Sequence, residues 1–320
     1  MLISGQYGAT LKLPANAQSN LIDNHGASNL HRFMIRDLIL DGGGAKRSLL
    51  RIKRHGSSGY AWDRGGIYEV ELRNAAIGAE VDWSGQVYYR GGRVENCAQG
   101  LRLTREHLYL QDITFWNCQT GVFADSLLHT HWDHVVFAHG GAESTAVRTP
   151  AEGGPHIQES RLVNCEIIDY RRGFDVRYLL DTEISGWRFK AIDYEGLLAD
   201  FSGMVELRSC RFLNCGTDPS GEYSAVKLVN STAHSGWRIH GNLARGVAAS
   251  PTMKYGFDLA GLANSDDAVV GQSNVVRGAS VAGYLTRQHH AKFTAENNIG
   301  SFASSANRKN ALFGQAATLR

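Results

Sequence analysis

Between about residues 30 and 300 the chain alternates apolar and polar positions in short runs that return at a near-constant interval. Leu108-Tyr109-Leu110-Gln111 shows the alternation, which is the period of a strand and not of a helix. Apolar residues recur as Ile67, Tyr89, Leu110, Trp132, Ile157, Ile184 and Leu207, and again five positions later as Leu72, Val94, Phe115, Phe137, Leu162, Phe189 and Phe212. Three positions further stand Ala75, Cys97, Cys118, Gly140, Cys165, Ile192 and Cys215, separated by 22, 21, 22, 25, 27 and 23 residues. A period of that length is a solenoid signal. Four of the frame positions share an Asn-Cys context: RVENCAQG, TFWNCQTG, RLVNCEII and RFLNCGTD. A glycine then often opens a second alternating run, as in GAEVDW from Gly78, GLRLTR from Gly100, GVFADS from Gly121, GFDVRY from Gly173 and GLLADF from Gly196. Strand, asparagine corner, strand and a looser return make one coil of a parallel β-helix. A leucine-rich repeat would need a leucine ladder and a helical half, and both are missing.

In this frame the cysteines are core. Inward Cys, Ala, Gly and Ile stack about 4.8 Å apart beside a stack of Phe, Leu and Val. The asparagines next to them are expected to take the left-handed corner conformation and to hydrogen-bond along the stack. Composition agrees: 36 glycines and 5 prolines in 320 residues suit corners inside hydrogen-bonded ladders, where proline would remove donors. Five cysteines, an odd number, argue against a disulfide framework. A net charge of +2 gives no nucleic-acid footprint, and no apolar run approaches the roughly 20 residues of a membrane-spanning helix. The first dozen residues, MLISGQYGATLK, lack the basic and apolar regions of a secretory signal, so none is expected.

An earlier coil reads from FMIRDLILDGGG (Phe33 to Gly44), and weaker ones follow around Trp237 to Leu259, Ala268 to Leu285 and Ala291 to Phe302. The expectation is one all-β domain over 1–302, a single-stranded right-handed parallel β-helix of roughly 11 to 12 coils at about 22 residues each. Residues 303–320 would form a C-terminal cap or assembly arm. IRDLILDG (Ile35 to Gly42), the Asn-Cys turns and the Gly-apolar strands resemble the pectin-lyase-like parallel β-helix family, and within it bacteriophage tailspikes and polysaccharide depolymerases. The resemblance implies a virion-borne or extracellular protein, a polysaccharide partner and a homotrimer.

That fold hosts hydrolases, lyases, epimerases and inert shafts alike, so chemistry must come from the outward columns. One column reads Gly66, Tyr88, Tyr109, His131, His156, Glu183 and Glu206, and its neighbour reads Tyr68, Arg90, Gln111, Asp133, Gln158, Ser185 and Arg208. A third, Glu71, Arg93, Thr114, Val136, Arg161, Arg188 and Arg211, carries an arginine ladder. Aromatic faces bind sugar rings, and guanidinium forks suit uronate or sialate carboxylates. Tyr88, Tyr109, His131, His156, Arg161, Arg188, Arg208 and Arg211 are therefore the candidate binders of an acidic polysaccharide. Hydrolysis needs two carboxylates. Glu183 and Glu206, about 5 Å apart on adjacent rungs, or Asp133, about 10 Å from Glu183, could supply them. In a lyase, Tyr109 or His131 would abstract the proton α to a uronate carboxylate that Arg161 or Arg188 neutralises. No cofactor is implied. A column of Asp82, Thr104, Asp125, Arg177 and Asp200 offers hard oxygens to Ca²⁺ without an identifiable completing set. Of the histidine pairs, His129 with His131 has usable strand geometry and His289-His290 has not. The competing readings are a non-enzymatic receptor-binding shaft and a secreted bacterial polysaccharide lyase or epimerase.

Overall fold

The computed structural model describes residues 2–15, 17–24, 30–54, 61–82, 84–151, 156–231, 236–246, 252–261, 270–286, 294–296, 298–300 and 302–304. His289-His290 and most of the expected C-terminal arm lie outside them. The chain forms two compact units, residues 1–165 and 166–320. Both are built from parallel strands, and no helix occurs among the described residues.

In the first unit, strand Leu2–Lys12 pairs in parallel with Met34–Ile52, which pairs with Gly65–Asp82, which pairs with Gln86–Gln111. Successive strands therefore come from successive coils, as the sequence period demands. Inward positions stack in register, with Leu40, Leu72, Val94, Phe115 and Phe137 forming one fully buried row. The Phe115 and Phe137 rings lie 4.7 Å apart and 9° from parallel. Each such side chain contributes about 1.5–3 kcal/mol by leaving water. In the second unit, Ile167, Phe189, Phe212, Ala244 and Val276 make a comparable row. The parallel β-helical reading thus holds within each unit.

Most of the described coils turn twice through the left-handed region. The first turn falls at Asp37, Glu69, Gly91, Asp112, His134 and Asn164, the second at Asn74, Asn96, Asn117 and His139, all with φ between 50° and 67°. Asn, Asp and His tolerate this conformation because their short polar side chains bond locally. The expected ladder is present at the second turn. Asn117 Nδ2 donates to Asn96 Oδ1 at 2.7 Å, Asn96 Nδ2 to Asn74 Oδ1 at 3.2 Å, and Asn74 Nδ2 to Asp41 Oδ1 at 3.1 Å. A one-way chain of amides thus ends on a carboxylate. Asp41 is nearly buried, which opposes its charge. Hydrogen bonds from Gly43 N–H and Asn74, with the charges of Arg73 and Lys12, outweigh burial and hold its pKa below the ordinary value.

All five cysteines are buried free thiols. Burial pushes Cys210 up to about 12, so it is inert at neutral pH. They do not form one stack, however. Ala75 and Cys97 are in register, but Val135 N–H donates to Cys165 Sγ, and Trp132 faces Leu162. Asn164-Cys165 therefore occupies the first turn, not the second. In the second unit Ile192 faces Tyr170 and Cys215, so the true frame residue there is Tyr170, five positions after Cys165. The expected register slips at this point because an Asn-Cys corner looks the same at either turn.

Candidate functional site

The slip changes the outward columns. His131 faces Tyr109 on one side and Arg161 on the other. Arg161 therefore leaves the expected arginine ladder and joins the tyrosine column. His156 leaves that column altogether: it is 1 % exposed, with Nδ1 against the carbonyl oxygen of Asp125. A side chain so placed has no surface for a ligand. The ladder itself is short. Arg188 and Arg211 are paired in register, but the residue on the other side of Arg188 is Glu166, with which it forms an ion pair. That hydrogen bond raises the Arg188 pKa above its ordinary value.

Three phenols occupy one face of the first unit. Tyr88 is 42 % exposed and stacks on Tyr109 with ring centroids 4.8 Å apart. Gly66 stands beside Tyr88, and a Cβ there would fall 2.6 Å from the Tyr68 ring. The absent side chain lets the Tyr68 ring fold over Gly66, so the column runs Tyr68, Tyr88, Tyr109, His131 and Arg161. Partial burial, then the neighbouring Tyr88, push the Tyr68 phenol up, against the opposing pull of Arg90. Arg36 and Arg90 flank Tyr68 in register. Asp133, in the next column, accepts from Asn164 Nδ2 at 3.1 Å and pairs with His134 at 3.1 Å.

Glu183 and Glu206 lie in the second unit and are in register on adjacent strands, as expected. They are not two bare carboxylates. Arg208 donates from Nε to Glu183 Oε1 at 3.0 Å and again from its terminal nitrogen, and its Nε lies 3.8 Å from Glu206 Oε1. Ser185 Oγ donates to Glu183 Oε1 at 2.7 Å, and His240 Nε2 lies 2.9 Å from Glu206 Oε1. The bond to Glu183 raises the Arg208 pKa. Arg208 is thus a bridge between acids, and the mutual repulsion that would favour a general acid is offset by its charge. Arg211 remains exposed.

Other expectations move as well. A bulge places Ser126 rather than Asp125 beside Thr104, which breaks the proposed Ca²⁺ column, while Arg177 does face Asp200. Among the described residues no three His, Cys, Asp or Glu side chains converge as a metal site. His129 and His131 diverge because His129 sits at φ 50°, which ends the strand alternation. It instead packs on His107 and pairs with Glu159 at 3.1 Å.

Residues not singled out from sequence lie at the first turn of three consecutive coils. Glu69, Gly91 and Asp112 follow one another there, with φ of 52°, 67° and 54°. A Cβ on Gly91 would meet Glu69 Oε1 at 2.1 Å, so the Glu69 carboxylate lies across Gly91 in the direction of Asp112. At the far end of the strand that leaves this corner, beside Asn117 at the second turn, Trp116 is 37 % exposed, with the Arg93 guanidinium 4.9 Å from its ring and the His139 ring 4.4 Å away. Alternation could have found Trp116, since Phe115 points inward. The Glu69 seat could not be read, because Gly91-Gly92 looks like any turn.

No family model matches the sequence, and no curated protein matches it. Among solved structures, the catalytic unit of a thermostable GH87 α-1,3-glucanase from Streptomyces thermodiastaticus strain HF3-3 aligns with a TM-score of 0.45 and 10 % identity. The alignment covers 96 % of this chain and 64 % of that one, so this chain spans less than two thirds of the length of that protein.

Proposed function

We propose that the protein binds an acidic polysaccharide along the column Tyr68, Tyr88, Tyr109, His131 and Arg161. The observation that carries this reading is the exposed, stacked Tyr88–Tyr109 pair with guanidinium groups on the same face. Stacked phenols give broad apolar surface with polar tips, which suits sugar rings, and Arg90 stands beside them as a planar fork for a carboxylate, with the Arg36 and Arg161 guanidinium groups adding positive charge to the same face. Such a surface stands ready without rearrangement, because β-ladders on both sides of each coil fix the spacing. Titration against a panel of uronate-containing and neutral polysaccharides tests it. Saturable binding of an acidic member that weakens as salt rises is expected. Equal affinity for neutral polymers, or none for any, overturns it.

Cleavage is a second reading, favoured by the in-register pair Glu183 and Glu206. It predicts new reducing ends in the presence of the bound polymer and their loss in Glu183→Gln and Glu206→Gln. A tailspike-like homotrimer is the wider setting of both readings, and light scattering of the full chain tests that stoichiometry.

A further inference from the structure

A second column borders the tyrosine column at a further corner of the coil. Gln86, His107, His129 and Glu159 stand two residues before Tyr88, Tyr109, His131 and Arg161, and the chain is left-handed at His129 and Glu159, with φ of 50° and 48°. Two imidazoles thus line the edge of the proposed binding face, and a third, His131, lies in it. The His107 and His129 rings are 5.2 Å apart and tilted by 35°, and His129 Nδ1 is 3.1 Å from Glu159 Oε2. The other groups that face these rings among the described residues are the Tyr88 and Tyr109 phenols and the Arg161 guanidinium, while Asp133, two residues after His131, pairs with His134.

Imidazole is the side chain whose charge ordinarily changes between about pH 5 and 8. Burial, and then the neighbouring His129, push the His107 pKa below its ordinary value, so in the free protein this ring is neutral at pH 7. His107 stands roughly 7 Å from Tyr109 along the strand, inside a Debye length of about 8 Å at physiological ionic strength. A polyanion laid along the column therefore brings unscreened negative charge to this edge and favours the charged form of the ring. Binding and protonation then support each other, since a ligand that raises the proton affinity of a group is bound more tightly by the protonated protein in the same ratio.

We propose that His107 and His129 make the capture of an acidic polysaccharide proton-dependent: uncharged, they leave the tyrosine column to its arginines alone, and charged, they extend its cationic border by two rungs. The inference rests on polysaccharide binding at that column and adds its regulation. The gain in affinity is complete below the pKa of the unliganded imidazoles and is lost as pH rises through that of the liganded ones. Acidic surroundings tighten the grip, and neutral ones loosen it. Glu159 offsets part of the charge at His129, so His107 carries the larger share.

The test is calorimetric titration of the full chain with polygalacturonate, alginate and hyaluronate between about pH 8 and about pH 6, a range over which the carboxylates of all three polymers stay ionised. Affinity should rise about tenfold on acidification, and titrations at about pH 6.5 in buffers of different ionisation enthalpy should show net proton uptake on binding. His107→Gln should remove most of the rise. His107→Gln combined with His129→Asn, since asparagine tolerates the left-handed corner, should leave the profile nearly flat. His107→Arg fixes the charge and should bring the affinity at the alkaline end up toward the acidic value. A flat wild-type profile, or a rise that persists in the double variant, overturns the proton dependence and leaves the tyrosine column standing. Binding of none of the three polymers at any pH overturns the column and this inference together.

Discussion

On the outward face of residues 1–165, Tyr68, Tyr88, Tyr109 and Arg161 present rings and a guanidinium to solvent, and Glu69 and Asp112 stand without ion-pair partners among the described residues. In residues 166–320, side chains at the corresponding strand positions are engaged with one another: Glu183 and Glu206 through Arg208, Glu206 through His240, and Arg188 through Glu166. The same backbone repeat thus produces one surface that carries a run of stacked aromatic rings and another on which carboxylates and guanidinium groups are joined in a network. What separates them is which sign faces which across a rung of about 4.8 Å.

The sharpest way to break this comparison is to remove the rings. Tyr88→Ala with Tyr109→Ala should lower affinity for an acidic polysaccharide about 100-fold by titration, since two aromatic anchors at about 1–2 kcal/mol each are lost. Its melting temperature should hardly move, because both rings face solvent. Next in size is Asn96→Ala. It interrupts the amide chain and forces alanine to a φ of 53°, and should cost about 2–3 kcal/mol in urea unfolding without altering affinity.

Two aspartates separate the units by the sign of their pH dependence. The folded pKa of Asp41 lies below the ordinary 3.8, so its stabilisation is present above that value and lost as pH falls through the folded one. Asp258 is the reverse. Burial raises it despite a hydrogen bond from Ala260 N–H and the charges of Lys227 and Lys254, so its penalty is absent below 3.8 and complete above the raised value. At pH 7, Asp41→Asn should destabilise by about 1–2 kcal/mol, the loss of a charged acceptor, and Asp258→Asn should stabilise. Lowering the pH below 3.8 should erase the second effect. The smallest change expected is Arg208→Ala, at under about 1 kcal/mol, since 40 % of that side chain is exposed and its ion pairs are screened. A larger loss would mean that the network on the second face is structural rather than incidental.

The period, the strand character and the inward rows were legible because alternation and a 22-residue return both follow from backbone geometry. Phe115 over Phe137 and Leu72 over Val94 were expected and found. The register failed where two corners share one chemistry. Asn96-Cys97 and Asn164-Cys165 both put a left-handed asparagine before an inward thiol, and only the partner strand tells which turn each makes. That ambiguity misplaced Arg161 and His156. The Tyr68 seat over Gly66 and the Glu69 seat over Gly91 escaped for another reason. A missing side chain acquires meaning only from what its neighbour one coil away does with the space.

The amide chain from Asn117 to Asp41 also acts as a gauge of how many residues lie between the two left-handed corners of a coil, five each from Glu69 to Asn74, Gly91 to Asn96 and Asp112 to Asn117. Each amide donates to the coil before it, and Asn74 and Asn96 also accept from the coil after, so a strand one residue long or short between the corners would present the wrong atom, or none, at the turn. Insertions are confined by this gauge to the return loops, where residues can be added without disturbing the count between the two left-handed corners. A chain that grows new binding loops over evolutionary time can therefore do so on one side of the coil only, while the opposite side keeps time.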